Sequence, residues 1–121
     1  MKIFVLMGAI FGGLGVAAGA FGAHALRSQL EPRMLEVFET AARYQMYHAL
    51  ALFAAAWILQ QSQAPAAQVA GWAFVAGILL FSGSLYAMAF TGVRGLGAIT
   101  PIGGAAFLVG WVALAVAAAR I

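Results

Sequence analysis

Thr40-Ala41-Ala42-Arg43-Tyr44-Gln45-Met46-Tyr47-His48 holds most of the polar chemistry in a chain that is otherwise largely hydrocarbon, and its position decides how the chain folds. The apolar run that follows, Ala49 to Leu59, has only 11 residues. A helix needs about 20 residues to cross a bilayer core of about 30 Å. The span holding this run therefore has to begin near Thr40, which puts Arg43, Tyr44, Gln45, Tyr47 and His48 in its first turns. Ionisable groups at that depth are costly and face protein or water rather than lipid, which makes them candidates for function.

The rest of the chain supports a membrane reading. Its 121 residues are 65% hydrophobic and 7% charged, with mean hydropathy +1.01. A soluble domain of this size has too little interior to hide so much apolar surface. The expected architecture is an all-α membrane protein, one domain over residues 1–121 with four spans at about 3–23, 40–59, 68–90 and 101–119. A net charge of +3 from six basic and three acidic groups provides no nucleic-acid-binding patch. The absence of cysteine removes disulfides, thiolate chemistry, iron–sulfur clusters and Cys-based zinc sites. There is no aspartate, the glutamates are Glu31, Glu36 and Glu39, and neither a serine triad nor a P-loop is present. Gly13-Leu14-Gly15 is too short for a dinucleotide fingerprint. A non-enzymatic protein is expected.

Lys2, an apolar run and Ala18-Gly19-Ala20 imitate a cleaved secretory signal, but the glycine spacing favours a retained first span. Gly8, Gly12, Gly15, Gly19 and Gly22 fall on one helical stripe, and small residues let a neighbouring backbone approach closely. Gly13, Ala17, Ala20 and His24 form a second stripe opposite it. Helix 1 is thus expected to be gripped from two sides, one of them open to a second copy or a larger membrane complex, or both within the chain. Glu31-Pro32 marks the next helix start. Glu36, Glu39, Thr40, Arg43, Tyr44, Tyr47 and His48 share a polar face there, while Ala42, Gln45, Ala49, Leu52 and Ala56 form a packing stripe. Residues 32–42 either lie along the interface or continue the second span. In span 3 the 4, 3 spacing picks out Val69, Ala73, Ala76, Leu80, Gly83 and Ala87, with Ser82 and Ser84 bonded to their own helix. Thr100-Pro101 reads as N-cap and first helical residue. Gly103, Ala106, Gly110, Ala113 and Ala117 form the stripe of span 4. A common period near 3.5 predicts a left-handed, antiparallel four-helix bundle.

Arg43, Tyr44, Gln45, Tyr47 and His48 are expected to line a polar site at one end of this bundle, with Arg27 and Arg94 supplying charge and His24 orienting or hydrogen-bonding. A phosphate or carboxylate fits that set, a membrane lipid headgroup being the simplest source. The competing reading pairs Glu39 with Arg43, four residues on. A rival from another class has His24 and His48 ligating haem or a metal; otherwise no cofactor or metal is expected. An oligomer enclosing a small-solute pathway is the remaining alternative.

Gly19-Ala20-Phe21-Gly22-Ala23-His24, Thr40-Ala41 with Tyr44-Gln45 to His48, Leu80-Phe81-Ser82-Gly83-Ser84-Leu85-Tyr86 and Thr100-Pro101-Ile102-Gly103-Gly104 together resemble the domain-of-unknown-function 423 family, which includes animal transmembrane protein 256. The resemblance covers nearly the whole chain. It implies a small four-span protein of uncharacterised function, in bacteria in the cytoplasmic (inner) membrane. Arg27, Arg33, Arg43 and Arg94 against Lys2 and Arg120 would put the arginine side in the cytoplasm. The resemblance implies the opposite, both termini cytoplasmic, and that orientation is preferred.

Overall fold

The computed structural model describes all 121 residues and is helical throughout, without strands. Four long helices follow one another: α1 (Lys2–Leu26) and α3 (Pro65–Thr91), with α2 (Pro32–Ser62) and α4 (Thr100–Ala118). A short 3₁₀ turn, Arg94–Ala98, leads into α4. Three stretches are long and apolar enough to cross a membrane, Lys2–Leu26, Pro65–Thr91 and Arg94–Ala118. Helix α2 does not share that description, because its apolar run from Ala49 to Leu59 is bounded by Gln45, Tyr47 and His48 on one side and by Gln60 and Gln61 on the other. It runs unbroken for 31 residues, about 46 Å, so residues 32–42 continue the helix and do not form a separate interfacial segment. Pro32 starts it where the missing N–H costs nothing.

The polypeptide turns between α2 and α3 in two residues. Gln63 adopts a left-handed conformation, φ 53°, and closes α2 through its N–H on the Leu59 carbonyl. Ser62 reinforces the turn, its hydroxyl donating to Ile58 O and accepting from Ala64 N. Thr91 repeats the device at the end of α3 with Ala87 O and Val93 N. Thr100 does not cap α4. It is already helical, and its hydroxyl is within 2.6 Å of the Ser84 hydroxyl on α3, because burial beside a second hydroxyl gives it a better partner than its own backbone.

Helix α1 packs antiparallel to α2 with its whole glycine stripe turned inward. Gly8 faces Phe53 and Ala49, Gly15 faces Met46 and Gln45, Gly19 faces Ala42, and Gly22 faces Phe38. Gly12 looks at Ala49 from farther off. Gly15 is therefore a contact inside the chain and no part of an outer surface. The opposite stripe is uncovered: Gly13, Ala17, Ala20 and His24 are all exposed. The first turn of α1 leans on α3, where buried Phe4 occupies the space over Gly71 and meets Trp72 edge-on at 5.3 Å.

Helices α3 and α4 interlock by phenylalanine knobs over glycine. Phe107 of α4 sits where a Gly77 side chain would be, and Phe74 of α3 does the same at Gly110. At Gly103 the obstacle is the backbone of Phe81 itself. The buried face of α3 is accordingly Ala67, Ala70, Gly71, Phe74, Val75, Ile78, Ser82, Leu85 and Ala89. The small-residue stripe read from spacing, which includes Gly83, is turned away, and nothing lies within 4 Å of a Cβ built there. Aromatic knobs choose the face, and spacing of small residues alone does not reveal knobs.

The main apolar core lies toward the termini, with Leu52, Ala55 and Leu59 of α2, Phe74 and Ile78 of α3 and Phe107 and Ala117 of α4. A smaller cluster of Ala23, Phe38 and Ala89 closes the other end. Gly103→Ala is expected to destabilise the protein by about 1–3 kcal/mol, because backbone cannot move aside as a side chain does, while Gly83→Ala leaves stability unchanged. Thermal unfolding in mild detergent checks both. Gln63→Gly is expected to raise stability by up to about 1 kcal/mol by relieving the left-handed residue, read in the same assay.

Candidate functional site

Two polar side chains on α2 tie the other three helices together. Gln45 is 5% exposed and His48 4%, so each has to find its partners within the protein. Gln45 Nε2 donates to the Phe11 carbonyl of α1 at 2.9 Å, and its Oε1 accepts from the Tyr86 hydroxyl of α3 at 2.7 Å. Trp111 Nε1 of α4 donates to His48 Nε2 at 3.0 Å. An indole N–H can only donate, so Nε2 is the accepting nitrogen. The hydrogen of this neutral ring is then on Nδ1, which donates to the Tyr44 carbonyl at 2.7 Å. Ser82 adds a bond across helices, donating to Ala41 O at 2.8 Å, where bonding within its own helix was expected. Ser84 donates to Phe81 O as expected. No buried side-chain polar atom is left without a partner.

Aromatic rings enclose the imidazole. Phe107 stacks on it with centroids 3.5 Å apart and planes 8° from parallel, and Phe74 and Trp111 stand at 5.6 and 5.7 Å. Tyr44 lies over Phe81 at 4.7 Å. The facing pairs of α1 and α2 place His48 at the level of Gly13, halfway along α1, and not near the helix end where its position in the sequence put it. Neither Trp111 nor Phe107 stood out in the sequence, although a tryptophan inside a packed helix has an N–H that needs an acceptor.

The residues expected to share one site are divided among three openings in the half of the molecule away from the termini. Arg43 and Tyr47 line a cleft of ≈ 380 Å³ between α1 and α2, floored by Gly15 and Gly19 and shared with Glu39. Tyr44, Tyr47 and His48 line a groove of ≈ 560 Å³ beside α4, completed by Leu50, Phe81, Phe107 and Trp111. Gln45 forms the floor of a slot of ≈ 340 Å³ between α1 and α3. His24, Arg27 and Arg94 line none of the three and are exposed. Of the three arginines expected to share an anion site, only Arg43 lines one of these openings.

His24 and His48 are not brought together. Residue 24 is eleven positions past Gly13, which marks the level of His48, and that is about 16 Å along the axis. Both ring nitrogens of His48 are already hydrogen-bonded, so neither is available to a metal in this arrangement. The structure assembles no group of three or more potential metal ligands among His, Asp and Glu.

Long apolar helices and a polar layer in which every buried side-chain nitrogen and oxygen has at least one partner within the protein define a helical membrane protein. The chain belongs to the family described as "Protein of unknown function (DUF423)", whose profile matches residues 18–104. It is similar to the UPF0382 membrane protein YwdK of Bacillus subtilis, 46% identical over 99% of this chain and 98% of that one. A UPF0382 membrane protein of Staphylococcus saprophyticus is 45% identical over the full length of both chains. One from Staphylococcus aureus (strain bovine RF122 / ET3-1) is 44% identical over 97% and 95%. No solved structure matches.

Trp111→Phe removes the only donor to His48 Nε2 and is expected to cost about 0.6–1.7 kcal/mol, from the average to the maximum for side-chain hydrogen bonds between membrane helices. A double-mutant cycle with His48→Phe, followed by denaturant unfolding in detergent, measures the coupling. A coupling of zero would show that the bond contributes nothing to stability.

Proposed function

We propose that the protein is a non-enzymatic, four-span protein of the cytoplasmic membrane whose Arg43 cleft holds the phosphate of a lipid headgroup. The observation that carries this reading is a cationic side chain in a glycine-floored cleft with no hydrogen-bond partner of its own: neither Glu39 nor any other group bonds the Arg43 guanidinium. A fourth span is supported by the pairing of α2 residues 38–53 with the apolar length of α1. On that alignment Arg43 stands at the level of Ala18, and helical side chains lean toward the N-terminus of their helix, here the loop end. Its long stem therefore carries the guanidinium toward the headgroup region, where a phosphate is within reach. Tyr47, one turn deeper, lines the cleft below the level of the phosphate. Glu39, one turn shallower in the same cleft, suits the amine of a zwitterionic headgroup, whose amine lies outside its phosphate. The adjacent aromatic groove, which shares Tyr47, offers an apolar bed for the acyl chain.

A second role, as a subunit of an oligomer or larger complex, is favoured by the uncovered side of α1. Only 17% of the most apolar stretch of α1 is buried, against 44% for α3. The termini are assigned to the cytoplasm.

Native mass spectrometry of the delipidated protein in mild detergent, titrated with phosphatidylethanolamine or phosphatidylglycerol, tests the headgroup site. Arg43→Gln is expected to lower lipid retention about tenfold, whereas Arg94→Gln, which lines none of the three openings, leaves it unchanged. Equal retention in both variants would remove the site.

A further inference from the structure

The slot between α1 and α3 differs from the other openings in chemistry. None of its ten lining residues is charged, and seven are hydrophobic. Its floor is Gln45, with Tyr86 and Ser82 beside it. The orientation of the Gln45 amide is fixed, because the Phe11 carbonyl can only accept and so has to meet Nε2. A primary amide has two N–H donors and two carbonyl lone pairs, and the bonds to Phe11 and Tyr86 use one of each. One N–H of a side chain that is 5% exposed is left over, and so are the lone pairs of the Tyr86 hydroxyl. Hydrocarbon offers nothing to pair with them.

The level of this group restricts the occupant. Gln45 faces Gly15, within about 5 Å of the middle of α1 at 1.5 Å per residue. The phosphate and ester carbonyls of a phospholipid stay at the membrane surface, and its acyl chains offer no acceptor near the midplane. A molecule that delivers a carbonyl to this depth has to be uncharged and dissolved in the hydrocarbon. The walls are also unusual. Both neighbouring helices widen into a π turn here, Ala17–Gly22 in α1 and Ile78–Ser82 in α3, and both turns contribute residues to the slot, Ala18 from one and Ile78, Leu79 and Ser82 from the other. Such turns recur at functional sites, and here two of them flank one polar floor. The rings of Phe11 and Phe38 supply flat apolar surface beside that floor, and the volume lies within the range of small-molecule sites, about 300–1,000 Å³.

We propose that this slot binds the head of an isoprenoid quinone, one ring carbonyl accepting the free N–H of Gln45, the ring lying against Phe11 and Phe38, and the tail leaving sideways into the bilayer past Leu14 and Leu79. The site is separate from the Arg43 cleft and does not depend on it.

The full chain in phosphatidylcholine nanodiscs, titrated with ubiquinone-2, provides the test, with the one-to-one adduct followed by native mass spectrometry and the quinone carbonyl band by infrared difference spectroscopy. Saturable binding is expected, with that band moving to lower frequency on hydrogen bonding. Gly83→Leu introduces a side chain at the slot, where no atom lies within 4 Å of the new Cβ, and is expected to weaken binding at least tenfold at unchanged helix content. Leu79→Trp, at an exposed position of the mouth, is expected to do the same should the first variant fail to fold. Arg43→Gln is expected to leave quinone binding intact, so the two sites fail separately. Uptake that never saturates, undiminished affinity in both slot variants, or equal displacement by dioleoylglycerol would overturn the assignment.

Discussion

Gln45 and His48, successive polar residues on the inner face of α2, hold the four helices in one arrangement. Helices in lipid gain little from hiding apolar side chains from one another, since hydrocarbon surrounds them whichever way they turn. Close packing and hydrogen bonds therefore select the partners. Here the selection is concentrated in one layer. A carbonyl of α1, a phenol of α3 and an indole of α4 each bond to a side chain of α2. Any rotation of α2 by one residue would break all three bonds together and leave the amide and the imidazole facing hydrocarbon.

The packing above and below this layer is unequal, and the inequality separates scaffold from site. Toward the termini, Leu52, Phe74, Phe107 and Ala117 close the interior. Between this interior and the small cluster of Ala23, Phe38 and Ala89, the packing leaves one cleft with a free arginine, one aromatic groove and one slot with an amide floor. Glycine contributes to both halves. In the closed half it gives room to phenylalanine rings from the next helix, as at Gly71 and Gly110. Beside Arg43, Gly15 and Gly19 keep the wall of α1 low and the cleft open.

Much of this was legible in the residues. The packing stripe of α2, from Ala42 through Gln45 and Ala49 to Leu52 and Ala56, is buried as its spacing indicated, and so is most of the α4 stripe from Gly103 to Ala117. The glycine stripe of α1 could be read as a contact, but not which side of α1 would remain uncovered. His48 stands about 40° from Leu52 of the packing stripe and about 120° or more from Glu36, Glu39 and Arg43, and was grouped with the polar face through its polar neighbours Tyr44 and Tyr47. A ring that finds a donor on a distant helix can lie inside despite them, and no local pattern announces a partner 63 residues away. The same limit hid Ser82, whose acceptor is 41 residues off. On α3 the stripe was misplaced from its start, since Val69 is exposed while Ala70, Gly71 and Phe74 are buried, the inner face being set by Phe74 and by the room that Gly71 and Gly77 give to rings of other helices. The widening of the helix at Ile78–Ser82 comes only after that miss.

That widening has a consequence for how the protein can change over time. A π turn holds one residue more than an α turn, and one residue is about 100° of rotation. The loop-side thirds of α1 and α3 are thus aimed independently of the thirds that build the core, like two hands of a clock on one shaft. Losing or gaining a single residue within Ala17–Gly22 or Ile78–Ser82 would turn a fresh set of side chains toward the space between them while Phe4, Phe74 and their neighbours stay seated. A lineage could in this way acquire a new lining for the slot without rebuilding the fold that supports it.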